Sequence, residues 1–187
     1  RTQCDAEARL NLGSVYTALL TLSVLESKAN AELIPGKPWQ NLLVRSSALE
    51  QLNDSKRLVL LGDPGSGKTT FVNFVALCLT GASLNQRPNL DDLITPLPPD
   101  EDERRRNRDE KPDPQPWEHG ELLPVRVILR DFAARGLPPI GEKASAKHLI
   151  AFIKAELERS ALGEYVRPLM RHLREKGGLL MLDGLDE

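Results

Sequence analysis

Gly62-Asp63-Pro64-Gly65-Ser66-Gly67-Lys68-Thr69 is the stretch on which the reading of this chain turns. It fits the pattern G-x-x-x-x-G-K-[S/T], and each part of that pattern meets one need of a bound polyphosphate. A phosphate group is a dense anion, best held by several backbone N–H groups that point inward. Side chains would block that approach, so Gly62, Gly65 and Gly67 keep the backbone bare and free to take positive φ. Pro64 has no N–H to offer and stiffens the loop. A helix opening near Lys68 would turn its positive end toward the anion. The Lys68 ammonium is then placed to bridge β- and γ-oxygens, and the Thr69 hydroxyl to ligate Mg²⁺. From average residue frequencies, a chance match in a chain this long is on the order of one in a few hundred.

The flanks give the motif the context it requires. Lys56-Arg57-Leu58-Val59-Leu60-Leu61 is a short apolar run that ends in the glycine loop and predicts a buried strand. Thr69 to Leu79 carries Phe71, Val72, Val75, Ala76 and Leu79, which predicts a helix that stops near Gly81. Further on, Pro124-Val125-Arg126-Val127-Ile128-Leu129 predicts a second strand. Ser145 to Ser160 predicts a helix with Leu149, Ile150, Ile153 and Leu157 on one face. Tyr165 to Lys176 predicts another, with Pro168 in its first turn and a stop at Gly177-Gly178. Leu179-Leu180-Met181-Leu182 closes the series as a strand. The order β-α-β-α-α-β with apolar strands predicts an α/β fold: a three-layer αβα phosphate-loop NTPase with a mostly parallel sheet, incomplete at its C-terminal side.

Residues 1–52 read as a lead-in to this core, and residues 53–187 as the core itself. Leu10 to Leu20 has β-branched and aromatic character, with Gly13 interrupting any helix, so it is expected to be extended or irregular. Pro35-Gly36-Lys37-Pro38 marks a turn. Asn41 to Leu52, with Leu42, Leu49 and Leu52 at helical spacing, predicts a short amphipathic helix. Residues 85–120 are rich in Pro, Asp, Glu and Arg and predict a long, solvated, mobile insertion. The arginines at 104–106 are flanked by acids on both sides, which argues for a solvated loop over a phosphate-binding patch.

A phosphate loop cannot place Mg²⁺ alone; it needs a carboxylate at the end of a neighbouring apolar strand. Asp183 stands directly after Leu179–Leu182 and supplies one. Asp183-Gly184-Leu185-Asp186-Glu187 packs three acids into five positions, and such carboxylates repel one another unless a cation or hydrogen bonds offset the repulsion. Asp186 and Glu187 stand either to orient an attacking water or simply to open a following helix.

Composition narrows the function classes. The chain has 187 residues, 28% of them charged, and a formal net charge of −2, so there is no electrostatic case for nucleic acid or a membrane surface. Aromatic residues make up 4%, which leaves few platforms for stacking bases. No apolar run approaches the ~18 residues that span a bilayer, and no signal peptide is visible. Cys4 and Cys78 lack metal-ligand spacing and read as a free thiol and a small core residue, in keeping with a reducing, cytoplasmic setting. His119, His148 and His172 lack triad or metal partners and read as structural. Trp39 and Trp117, in Pro-rich loops, read as anchors of those loops on the core. Arg130 follows the second strand and is expected to pair with Asp131 or another acid rather than with phosphate. The chain begins at Arg1 and stops at Glu187 directly after an apolar strand, so it reads as a fragment, one whose exposed sheet edge would make it poorly soluble alone.

The loop Gly62-Asp63-Pro64-Gly65-Ser66-Gly67-Lys68-Thr69-Thr70 resembles that of the NACHT NTPases, within the signal-transducing ATPases with numerous domains. Asp183-Gly184-Leu185-Asp186-Glu187 is similar to the family's acidic segment, with a small residue after the Mg²⁺ aspartate. Pro124 to Phe132 is similar to its second strand, and Ser14 to Leu19 resembles the lead-in of many bacterial members. The resemblance runs from about residue 10 to residue 187 and covers the front half of such a module. It implies ATP and Mg²⁺ as cofactors, with Gly62 to Thr70 holding the nucleotide, Thr69 and Asp183 the metal, and Lys68, Asp186 and Glu187 acting in a slow hydrolysis. It also implies a switch that governs self-association of a multidomain receptor, in bacteria commonly one of antiphage defence. Two alternatives stand beside it: a non-hydrolysing scaffold gated by nucleotide, and a conventional phosphotransferase.

Overall fold

The computed structural model describes residues 19–24, 43–97 and 113–184. In chain order the elements are β1 (Leu20–Val24), β2 (Leu43–Ser47), α1 (Ala48–Asp54), α2 (Lys68–Ser83), α3 (Leu90–Leu93), β3 (Pro124–Ile128), α4 (Leu129–Arg135), α5 (Ala146–Arg159), a 3₁₀ turn (Gly163–Tyr165), α6 (Val166–Glu175) and β4 (Leu179–Asp183).

Helix α2 organises the core. Phe71, Phe74, Val75, Cys78 and Leu79 recur at helical spacing and are all buried. They pack with Ala48 and Leu49 of α1, Leu93 of α3 and Met181 of β4. Burying a side chain of this size contributes about 1.5–3 kcal/mol, so this one face dominates the stability of the unit. The helix does not stop at Gly81 as its sequence predicts; it runs on to Ser83. Gly81 is needed for another reason. A Cβ there would lie 1.9 Å from the Pro88 carbonyl oxygen, so the returning chain crosses the helix where no side chain stands. The turn out of the helix uses Asn85 at φ 53° instead.

The predicted helix over 41–52 forms only from Ala48. Residues 43–47 pair antiparallel with β1, Leu20 opposite Ser47 and Val24 opposite Leu43. Ser47 marks the change from strand to helix: its Oγ accepts from the Glu50 N–H at 3.0 Å. Ser47-Ala48-Leu49-Glu50 has the spacing of a capping box, which fixes the true helix start. Most of the lead-in, including Ser14, Trp39 and Cys4, lies outside the described residues.

The strand predicted at 56–61 is not formed. The segment bends at Lys56-Arg57 and belongs to no ladder, and its side chains alternate: Leu60 packs on the core while Val59 is 73% and Leu61 86% exposed. A strand exists through its neighbours' hydrogen bonds, and among the described residues the ladders join only β1 with β2 and β3 with β4. The mostly parallel sheet expected from sequence is, among the described residues, a pair of strands, β3 and β4, in a mixed α/β arrangement.

Strands β3 and β4 run parallel with Val125 opposite Leu180, Arg126 opposite Met181 and Ile128 opposite Asp183. Opposed residues share a face, and faces alternate with period two. Arg126, Ile128, Leu179, Met181 and Asp183 therefore lie on one face, the one against α2, where Met181 and Leu179 join the core. Val125, Val127, Leu180 and Leu182 lie on the other.

Helix α4 was not expected; the sequence reads as strand through Leu129, but the chain turns into a helix there. Phe132 of α4 meets Phe152 of α5 edge-on at 5.4 Å, and Arg135 bonds Glu156 at 2.9 and 3.3 Å beneath them. Helices α5 and α6 fall where periodicity places them; α6 ends at Glu175, with Lys176 as its C-cap and Gly177 following at φ 81°. Both ends of the 85–120 insertion are structured. Asn89 caps α3 by accepting from the Asp91 N–H at 2.9 Å. Gln115 donates its N–H to Ile94 at 2.9 Å and its side chain to Thr95 at 2.7 Å. Trp117 packs on the core as an anchor. Residues 98–112, including the arginines at 104–106, lie outside the described residues. Among the described residues, no helix is long and apolar enough to cross a membrane.

Candidate functional site

The glycine loop connects the extended 58–61 segment to the first turn of α2. Asp63-Pro64-Gly65-Ser66 forms a turn closed by the Ser66 N–H donating to the Asp63 carbonyl at 3.1 Å. Pro64 at its second position and Gly65 at φ 81° at its third are what a type II turn demands. Gly67, also left-handed at φ 91°, forms the N-cap of α2. Gly62 is bare because a Cβ there would come within 2.9 Å of Ser66 Oγ. Gly62 to Ser66 are exposed, as a cradle open to a ligand must be. The first N–H groups of α2 lack intrahelical acceptors and carry the positive end of the helix dipole. This backbone fits a polyphosphate.

Lys68 folds back over the loop. Its ammonium donates to the Gly62 carbonyl at 2.5 Å, the Asp63 carbonyl at 3.1 Å and Ser66 Oγ at 3.4 Å. The loop's own oxygens thus hold the charge at the cradle. Thr70 follows on the same helical turn, exposed.

Thr69 and Asp183 are 114 positions apart in sequence, yet the Thr69 hydroxyl donates to Asp183 Oδ1 at 2.9 Å. The pairing follows from the fold. Parallel register puts Asp183 at the C-terminal end of β4 on the α2 side, and α2 begins there. A hydroxyl and a carboxylate side by side are hard oxygen donors of the kind Mg²⁺ takes. Among the described residues no group of three or more His, Cys, Asp or Glu forms a closed metal cage.

One contributor was not legible beforehand. The Arg126 Nη2 donates to Asp183 Oδ2 at 2.7 Å, so Thr69 and Arg126 each take one carboxylate oxygen. Arg126 is two residues before the position opposite Asp183, on the same face. Its only mark in the sequence is that it is a lone charge in the apolar run Pro124–Leu129. Burial pulls the Asp183 carboxyl pKa upward. The hydrogen bonds from Arg126 and Thr69, the Arg126 charge and the Gly184 backbone N–H outweigh that and hold it below the usual carboxylate range.

Arg130, singled out by its place after the strand, is exposed on α4. Its expected partner Asp131 faces Arg135 instead, at 3.6 Å, one helical turn on. Asp186 and Glu187 lie outside the described residues. The histidines are structural where their contacts are seen: His119 bonds the Asn53 carbonyl at 2.8 Å and meets Trp117 edge-on, and His148 Nδ1 accepts from the Ser145 N–H at 3.0 Å at the start of α5. Cys78 is fully buried, and burial, with a smaller contribution from Asp92, pushes its thiol pKa up to about 12. A thiol held neutral in the core is a poor nucleophile and packs as a small apolar side chain.

No protein-family model, curated protein or solved structure matches this chain.

Proposed function

We propose that this chain is the nucleotide-gripping front half of a three-layer phosphate-loop NTPase of the NACHT kind, taking ATP with Mg²⁺. In this reading it is a slow, regulatory ATPase that controls self-association of a multidomain receptor. The observation that carries the proposal is the 2.9 Å contact between Thr69, one residue into α2 behind the glycine loop, and Asp183, at the end of an apolar parallel strand. A glycine-rich turn recurs for many reasons. A threonine behind such a turn, set against a buried carboxylate from a distant strand, serves a phosphate-bound cation far better than it serves packing.

The roles follow from position. The N–H groups of the loop and the first turn of α2 bind phosphate oxygens. Lys68 releases the loop carbonyls and turns its ammonium to the terminal phosphates. Thr69 and Asp183 would hold Mg²⁺, directly or through water. When bound, that ion neutralises charge building on the phosphate oxygens.

The test is fluorescence titration of the full chain with N-methylanthraniloyl-ATP, in Mg²⁺ and in EDTA. Affinity is expected to be higher in Mg²⁺. Lys68→Ala should weaken binding in both conditions, and Asp183→Asn only in Mg²⁺. Equal affinity with and without the metal for the unaltered chain would sink the proposal.

A further inference from the structure

We propose that Arg126 is a built-in counter-cation for Asp183, competing with the divalent ion for the same carboxylate and so setting how strongly nucleotide binding depends on magnesium. This rests on the nucleotide reading above and goes beyond it, because nothing in the phosphate-loop pattern calls for an arginine on β3.

Both oxygens of Asp183 are occupied, Oδ1 by Thr69 at 2.9 Å and Oδ2 by Arg126 at 2.7 Å. The side chain of Asp183 is only 9% exposed. A cation must therefore share that carboxylate with both donors, one of them a full positive charge, or displace one. The two donors differ in freedom. Thr69 has a short side chain with one rotatable bond, held on the first turn of α2. Arg126 has a long, flexible stem, is 34% exposed and reaches Asp183 along the face they share. Arginine is the donor that yields.

Electrostatics gives the sign. A guanidinium in contact with the carboxylate cancels most of the charge that would attract a second cation, and it repels that cation directly. The alternative role for Arg126 is to aim the carboxylate, and that predicts the opposite sign. Here Thr69 already fixes the aim through the other oxygen. Arg126 therefore lowers metal affinity, and its removal raises it.

The decisive quantity is the ratio of the N-methylanthraniloyl-ATP dissociation constants in EDTA and in Mg²⁺, with the half-saturating free Mg²⁺ at fixed nucleotide. Arg126→Gln is expected to raise the ratio 3- to 10-fold and to lower half-saturating Mg²⁺ correspondingly. Arg126→Lys, which keeps the charge as a compact ammonium without the guanidinium fork, is expected to fall between. A merely structural arginine would weaken both constants together and leave the ratio unchanged, which would overturn the proposal, as would a fall in the ratio. Arg126→Met keeps the apolar stem and serves if the Gln variant does not fold. Unfolding of both, seen by circular dichroism, would make Arg126 a structural partner and overturn it too. Absence of any Mg²⁺-dependent nucleotide affinity in the unaltered chain is a different result, and it removes the nucleotide reading itself.

Discussion

Asp183 concentrates the chemistry of this chain in one buried carboxylate with two donors. Its folded pKa is lowered relative to the unfolded chain, so the sign of its pH dependence is fixed. The ionised form is favoured by folding. Its stabilising contribution is present above the unfolded pKa of about 3.9 and is lost as pH falls through the lower folded value. Asp183→Asn removes that contribution. Thermal melts of the two proteins should therefore differ most above the unfolded pKa and converge as pH falls through the lower folded one. A gap that stays constant across that range would show that Asp183 is not ionised in the pair. At neutral pH the gap should be about 1–2 kcal/mol, the worth of hydrogen bonds to a charged group discounted for the exposure of Arg126. Thr69→Val keeps the shape of the side chain but removes the donor. It should weaken Mg²⁺-dependent nucleotide affinity roughly tenfold or more, the loss of about 1.4 kcal/mol or more, while leaving affinity in EDTA near that of the unaltered chain.

At the scale of elements, helix α2 and its two ends make testable demands on glycine and serine. Gly67 sits at φ 91°, and an L side chain there costs about 1–2 kcal/mol. Gly67→Ala should lower the melting temperature and distort the cradle together. Gly81→Ala acts at the far end of the same helix by a different cause. Its Cβ would meet the Pro88 carbonyl at 1.9 Å, so the 84–89 turn must move, at about 1–3 kcal/mol for overpacking. Circular dichroism melts of both variants, with the nucleotide titration, separate the two: Gly81→Ala should destabilise while the loop of the folded protein keeps its affinity. Ser47→Ala removes the hydroxyl that caps α1 and should cost about 1 kcal/mol, with no effect on nucleotide.

On the scale of the molecule, the apolar surface is unevenly covered. Leu180 and Leu182 on the outer face of β4 are 46% and 50% exposed, and Val59 and Leu61 stand out from the unpaired segment before the loop. Two-stranded sheets with open edges and apolar faces invite pairing with other chains. Sedimentation should therefore show concentration-dependent association. Leu180→Thr with Leu182→Thr, which introduces a β-branched residue that strands favour while removing apolar area, should reduce that association and the binding of a hydrophobic dye. Unchanged association in the double variant would place the sticky surface elsewhere.

What the sequence determined by itself is local: the glycine turn, the helix behind it, the periodic helices α5 and α6, and an apolar strand ending in Asp183. These rest on φ preferences, hydrophobic spacing and caps, which act over a few residues and are written in the neighbouring letters. The Ser47 N-cap was equally written there but outweighed by the leucine spacing around it. Only the tertiary structure decided that 56–61 stays outside a sheet, that 43–47 becomes a strand, and that Arg126 rather than Arg130 meets the site. Those outcomes depend on which strands lie side by side and in what register. Register joins residues far apart in the chain, and no local pattern encodes it.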